Sequence, residues 1–370
     1  MRGRPQLFTS YAAEEAPLGT GAKRAWFAVL IAVLVILPFQ LGTELNALMA
    51  TAFLAAIGAI GLNIVTGWAG QVSLGHAFFL GIGAYTGAAL AGDPGGSVTG
   101  LGLDMWVWLP ASGLVAALVG LAVAPVATRV RGLYLAIVTL GLVFLGEHLF
   151  RELEGVTGGA GVGRSAPELV LFGVDLDTTS QFLGFGLDRT MKLYFLSLVL
   201  LAVFALLAKN LTRSAVGRAF AAVRDRDIAA EVMGVEPTRY KVIAFGVSSF
   251  YAGIAGAMLA TVTGFIEPGT YDLFLSVEFL AMVLIGGAGT LAGALLGAAF
   301  VTLLPRLVEE VPRVLPFITA ESSGGFLTVF QLQAIIYGCL IVAFLIAEPR
   351  GLFGLWIRAR NQVNNARGGL

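Results

Sequence analysis

Charge is what this chain has least of. Only 12% of its 370 residues are Asp, Glu, Lys or Arg, while 57% are hydrophobic, against roughly a quarter charged in ordinary soluble domains. A chain that apolar could not cover its own surface with polar groups, which excludes a set of soluble domains. The 23 basic residues balance 23 acidic ones, and a net charge of zero argues against a nucleic-acid binder or a polybasic peripheral protein. A single cysteine, Cys339, excludes an internal disulfide and a cysteine-built metal cage. Two histidines, His76 and His148, are too few for a His-rich centre, so no metal site is expected. None of the four lysines, Lys23, Lys192, Lys209 and Lys241, follows a glycine. The G-x-x-x-x-G-K-[ST] phosphate loop is therefore missing, as is H-E-x-x-H. No catalytic residue, no cofactor and no ATP hydrolysis are expected of this chain itself.

What is abundant is long apolar sequence, with a mean hydropathy of +0.87. Windows approaching the roughly 20 residues that cross a bilayer as a helix fall near 26–41, 46–66, 73–91, 106–127, 132–148, 193–208, 242–264, 273–286, 290–304 and 326–347. These ten spans predict an all-α polytopic membrane protein, with a tail at 1–25, a transmembrane domain at 26–347 and a second tail at 348–370. The windows 273–286 and 290–304 are short and separated only by Gly287, Ala288 and Gly289, so two spans and one re-entrant pair both fit. Pro38, Pro110, Pro125, Pro305 and Pro349 stand at or near span ends, where a missing N–H costs least. Lys23 and Arg24 before an apolar run imitate a secretory leader. The small-residue site Ala50-Thr51-Ala52 lies inside the next apolar run, however, and the segment reads as a retained helix.

Charge also orients the chain. With a cytoplasmic N-terminus, the inner segments carry 17 Lys and Arg against 7 acids, and the outer segments 6 against 16. The neutral total hides an asymmetry that satisfies the positive-inside rule, and an even number of crossings returns the C-terminus to the cytoplasm.

Polar residues concentrate in a few places. In the inner loop 209–241, Arg213, Arg218 and Arg224 alternate with apolar residues at helical spacing. Ile228, Ala229, Ala230, Val232 and Met233 then run up to Gly234 and Pro237, which predicts one or two short amphipathic helices. Such helices lie on the inner leaflet or dock on a soluble partner. The interleaved Asp225, Asp227, Glu231 and Glu236 favour docking, because an anionic leaflet repels them. In 61–85, Asn63, Gln71, Ser73 and His76 stand among glycines inside hydrophobic sequence. They form a permeation or binding element, or they are hydrogen-bond partners bracing helices that glycines bring close. Glu278, in the first turns of an apolar helix, faces a pathway or reaches water near the interface. Gly286, Gly289, Gly293 and Gly297 have the spacing of close helix packing. The glycines of 157–163 imitate a dinucleotide fingerprint without the surrounding βαβ unit. The spans also lack the several buried acids of an ion-coupled carrier.

Five stretches occur in one order: GLNIVTGWAGQVSLGHAFFLGIGAY (61–85), RGLYLAIVTLG (131–141), TGGAGVG (157–163), GRAFAAVRDRDIAAEVMGVEPTRYKVIAFGVSSFYAGIAGAM (217–258) and SVEFLAMVLIGGAGTLAG (276–293). Together they resemble the LivM-type permeases of branched-chain amino acid ABC importers. The resemblance implies a type II-like importer permease in the bacterial inner membrane, paired with a LivH-like second permease. Two cytoplasmic subunits that bind ATP and Mg, and an extracytoplasmic substrate-binding protein, would complete the machine. It further implies alternating access, with Ala229, Ala230, Glu231 and Gly234 in the docking segment, although their order departs from the E-A-A-x-x-x-G signature of other ABC permeases. Related urea and amide importers share the pattern. Five spans before residue 190 and five after would give halves of inverted topology, without a sequence repeat between them. The competing classes are an ion-coupled secondary transporter and a membrane enzyme built on the adjacent Glu147 and His148.

Overall fold

A computed structural model describes residues 21–94, 98–130, 132–159, 161–171, 174–175, 180–182, 185–308, 318–319, 327–348 and 350–368. Most of the 1–25 tail, the greater part of 305–325, the first residue of the 326–347 window and the last two residues of the 348–370 tail lie outside them. The helices are α1 (Gly21–Ile36), α2 (Thr43–Asn63), α3 (His76–Ala91), α4 (Met105–Arg129), α5 (Leu133–Glu152), the single turn α6 (Glu154–Thr157) and α7 (Arg189–Arg213). After these come α8 (Ala215–Asp225), α9 (Asp227–Val232), α10 (Pro237–Thr263), α11 (Leu273–Gly286), α12 (Leu291–Val308), α13 (Val329–Ala347) and α14 (Gly351–Gly368). Among the described residues, six segments are long and apolar enough to cross a membrane: Thr43–Trp68, Met105–Val126, Tyr134–Glu152, Arg189–Arg213, Pro237–Thr263 and Pro268–Gly286. The other four predicted windows coincide with shorter apolar helices, namely α1, α3, α12 and α13.

A helix that is apolar on every side belongs in the interior, and α2, α3 and α10 are buried along most of their lengths. Leu54, Ile57 and Ile60 of α2 and Ala252, Ala255 and Met258 of α10 are fully enclosed. Small residues set the spacing around α10. A methyl at Gly256 would run into the Leu80 carbonyl of α3, and one at Gly253 would lie 2.6 Å from the Ser112 carbonyl of α4. The outward faces of α1, α4, α5 and α7 carry Trp26, Leu30, Leu118, Phe144 and Leu206 in exposed positions. Apolar surface of that extent is not sustained in water and marks a lipid or protein interface.

Among the described residues, β-structure is confined to short loop ladders. The one that ties distant segments pairs β1 (Arg164–Ser165) with β2 (Phe265–Ile266) antiparallel, setting Arg164 opposite Ile266. It joins the loop after α6 to the end of α10.

Candidate functional site

The polar cluster of 61–85 marks an interrupted helix. Beyond Asn63, α2 widens into a π turn over Ile64–Trp68. The chain then runs without regular structure until α3 starts at His76. Backbone of this kind inside apolar protein must find partners for its polar groups. Gln71 N–H donates to the Val65 carbonyl at 2.9 Å, and Leu74 N–H donates to the Thr139 hydroxyl of α5 at 2.9 Å. Gly75 N–H reaches Ser73 Oγ at 3.3 Å, and Ala77 N–H, in the first turn of α3, donates to the Ser276 hydroxyl of α11 at 3.0 Å. The Gln71 amide donates to the Lys241 carbonyl at 3.4 Å. The His76 ring lies 5.1 Å from the Phe279 ring and hydrogen-bonds the Gly58 backbone, and its Nε2 has no partner among the described residues. Asn63, Gln71, Ser73 and His76 are all buried in packed protein. Their observed bonds brace backbone.

The predicted glycine row belongs to a helical hairpin that meets the interrupted segment. α11 and α12 are separate helices joined at Gly287–Thr290, and their glycines face one another. A methyl at Gly286 would strike the Gly293 carbonyl, and one at Gly297 would strike the Met282 carbonyl. Gly289, grouped with them by spacing, lies in the turn instead, at φ +82°. Its N–H donates to Asn63 Oδ1 at 2.8 Å, and its carbonyl accepts from the Trp68 indole at 2.9 Å. Asn63 also donates to the Thr290 carbonyl at 3.0 Å. One asparagine thus satisfies a donor and an acceptor of the opposing turn, which a residue with a single kind of polar group could not do. Glu278 stands apart from this cluster. It is half-buried on the side of α11 toward α13, where it hydrogen-bonds Tyr337.

Beneath the π turn sits the unit formed by α8 and α9. Ser214 caps α8 by accepting from Gly217 N–H at 3.3 Å. Ala219, Phe220 and Val223 form its buried face, with Phe220 edge-on to Tyr240 of α10. Arg224 links this unit to the interior by donating to the Gly67 carbonyl at 3.0 Å. A methyl at Gly70 would lie 2.7 Å from the Arg224 chain, so only glycine leaves room for it. Lys241 of α10 holds Asp227 at 3.7 Å. Arg224, Asp227 and Lys241, with Gln71, Val130 and Leu135, line a half-open cavity of about 240 Å³. On α9, Ala230 is buried, while Ala229, Glu231 and Gly234 are exposed, Gly234 at φ +84° just past the helix end. Around them Ile228, Val232 and Met233 are 68%, 82% and 82% exposed. The result is an apolar tip carrying one carboxylate.

At the far end of α3, Arg164 gathers three chain segments. It donates to the Ala88 carbonyl at 2.6 Å, to the Thr99 carbonyl at 3.0 Å and to the Val156 carbonyl. Burial pulls its pKa below the ordinary arginine value, while the neighbouring Tyr85 opposes that shift. The glycine-rich 157–163 stretch leads into this clasp, and among the described residues no βαβ unit flanks it.

Thr139, Ser276, Thr290 and Arg164 all serve these sites without standing out in the sequence, and Arg224 stood out only as one of the basic residues of the inner loop. Thr139 and Ser276 were single hydroxyls within apolar helices, and their partners lie 65 and 199 residues away. A hydroxyl at membrane depth was the available signal. Among the described residues no group of His, Cys, Asp and Glu could hold a metal ion.

Comparison with known proteins accords with this arrangement. Residues 45–345 match the family described as "Branched-chain amino acid transport system / permease component". The chain is 30% identical over 345 residues to the high-affinity branched-chain amino acid transport system permease protein LivM of Salmonella typhimurium, covering 90% of this chain and 75% of that protein. The LivM protein of Escherichia coli is 31% identical over 347 residues, with 90% and 76% covered. A shorter likeness, 38% over 101 residues, covers 26% of this chain and 29% of the autoinducer 2 import system permease protein LsrC of an Enterobacter species. No solved structure matches. With the match spanning both the interrupted helix and the glycine hairpin, this chain belongs to the family of branched-chain amino acid transport permease components.

Proposed function

We propose that this chain is one permease subunit of an ATP-driven importer of branched-chain or related hydrophobic amino acids. In this reading it crosses the bacterial inner membrane ten times with both termini in the cytoplasm. It pairs with a LivH-like permease, two cytoplasmic ATPase subunits that hold ATP and Mg, and an extracytoplasmic binding protein. The substrate class comes from the names of the LivM relatives.

The observation that carries the proposal is the α9 tip. Ile228, Val232 and Met233 expose large apolar side chains beside Glu231 at the end of a loop rich in both signs of charge. Apolar anchors with a charged rim suit a protein groove, whereas the acids disfavour an anionic leaflet.

Movement of the tip would reach the interior along a short path. α8 moves with α9, and Arg224 transfers the displacement to the Gly67 carbonyl. Trp68 and Asn63 carry it to the Gly289 turn. Segment 69–75 is held by side-chain bonds that can be exchanged for others, so it suits a rigid-body shift that opens the permease to one side at a time. Scarce ionisable groups in the spans fit a cavity that needs little affinity of its own, with specificity left to the binding protein.

The test is co-purification of the ATPase subunits with this chain. Wild type should retain them, and Val232→Arg combined with Glu231→Arg should lose them while the permease still purifies folded. Retention of the ATPases by the double variant would contradict the docking role. The ligand of the associated binding protein separates branched-chain amino acids from urea or amides.

A further inference from the structure

In the topology proposed above, a second exposed element lies on the same cytoplasmic side as α9 but has the opposite chemistry. α14 follows α13 after a turn at Glu348, and it touches α11 and α12 where their hairpin turns. A methyl at Gly287 would strike the Arg350 carbonyl, and Gly351, at φ +62°, lies against the Ile285 carbonyl. Arg358 pairs with the buried Glu348 at 2.6 Å, fixing the start of the helix. Beyond this anchor the helix presents apolar groups outward. Leu355 is 45% exposed and Trp356 is 53% exposed, with Phe353 stacked on the Trp356 ring. Arg360 lies 5.5 Å over the same ring. Leu352, Leu355, Trp356 and Ala359 share one arc at helical spacing, and Arg360 borders it.

The charge composition selects the occupant. From residue 350 onward the chain contains Arg350, Arg358, Arg360 and Arg367 and no Asp or Glu. Nothing in that stretch is repelled by an anionic surface, unlike α9 with Asp227 and Glu231. A tryptophan and leucine arc edged by arginines is the composition of a helix lying in a headgroup layer, where indole and guanidinium both find suitable surroundings. We infer that α14 is an interfacial helix whose Leu355 and Trp356 enter the inner leaflet and whose arginines bind anionic lipid headgroups, so that the bilayer clamps the α11–α12 hairpin from below. From the preceding section this takes only the cytoplasmic position of the C-terminus. It would survive loss of ATPase docking.

The experiment uses the full chain in nanodiscs of phosphatidylcholine, with or without phosphatidylglycerol. A nitroxide is placed at Ala359→Cys in a Cys339→Ser background, and its accessibility to oxygen and to a water-soluble nickel complex is compared. In phosphatidylglycerol discs the label should be reached by oxygen and shielded from nickel. Arg360→Gln should lower the membrane-bound to free ratio about fivefold, following ~1 kcal/mol per basic residue near an anionic surface. Backbone hydrogen exchange over 355–362 in unlabelled protein should slow in the same discs. A label at Ile228→Cys should stay open to nickel in both lipids. The inference is overturned if the Ala359 label is equally open to nickel in both lipids, if it is shielded only after ATPase subunits are added, or if the Ile228 label follows lipid charge as it does. Loss of the permease reading would appear in the ATPase co-purification instead, which this measurement does not touch.

Discussion

The interrupted segment 64–77 and the glycine hairpin 286–297 meet in the same interior and hold their backbones there by different means. In the first, the chain leaves the helix, and its freed groups are satisfied by the hydroxyls of Ser73, Thr139 and Ser276. In the second, both strands of the hairpin remain helical, and the helices approach until a methyl would touch a carbonyl. Hydrogen bonds to side chains can be broken and remade in another arrangement, whereas close-packed backbones tolerate little change in volume. The difference assigns the adjustable role to 64–77 and the fixed role to the hairpin, with Asn63 and Trp68 bonded to Gly289 and Thr290 where they join.

Substitutions that alter polarity or volume separately can break this contrast. The largest effect is expected from Asn63→Leu, which keeps bulk but orphans Gly289 N–H and the Thr290 carbonyl. At ~1–3 kcal/mol for each buried group, a loss of about 4 kcal/mol should appear in thermal unfolding of the purified chain. Next, Gly297→Ala changes volume alone by placing a methyl against the Met282 carbonyl. It should cost ~2 kcal/mol as overpacking, and a neutral result would mean that the hairpin is looser than its geometry implies. Thr139→Val is smaller, at about 1–2 kcal/mol, because it orphans mainly Leu74 N–H. Hydrogen exchange at Leu74 should accelerate while the hairpin amides stay protected. Smallest in stability is Arg224→Met, which removes the bond to the Gly67 carbonyl from a half-exposed side chain. Unfolding should shift by about 1 kcal/mol or less, yet ATP-driven uptake should fall sharply if Arg224 is the link between α8 and the interior.

Much of this architecture could be read from the sequence, because apolar periodicity and length are local properties. Every predicted window falls on a helix, and the charged α8–α9 loop is helical where its spacing required. Ends were less legible. The 73–91 window starts at His76, because Ser73, Leu74 and Gly75 remain outside the helix. The 46–66 window extends from Thr43 through the π turn to Trp68, since the π turn keeps the backbone bonded without a break in hydropathy. Windows 273–286 and 290–304 are two helices whose glycines interlock, a geometry that two spans and a re-entrant pair share. Asn63, Gln71, Ser73 and His76 stood out as polar groups in apolar surroundings. Their partners did not, because a bond between Asn63 and Thr290 spans 227 residues and leaves no mark on either neighbourhood.

The central claim, that ATPase subunits drive this permease through α9, is tested most directly by uptake of labelled leucine into proteoliposomes. These would contain the chain, its partner permease, the ATPase subunits and the binding protein. Uptake should require ATP and the ATPase subunits, and it should fall at least about tenfold, the equivalent of ~1.4 kcal/mol, when Glu231 and Val232 are both replaced by Arg with the unfolding temperature unchanged. Leucine uptake that persists without the ATPase subunits, or that is indifferent to the α9 substitutions, would contradict it.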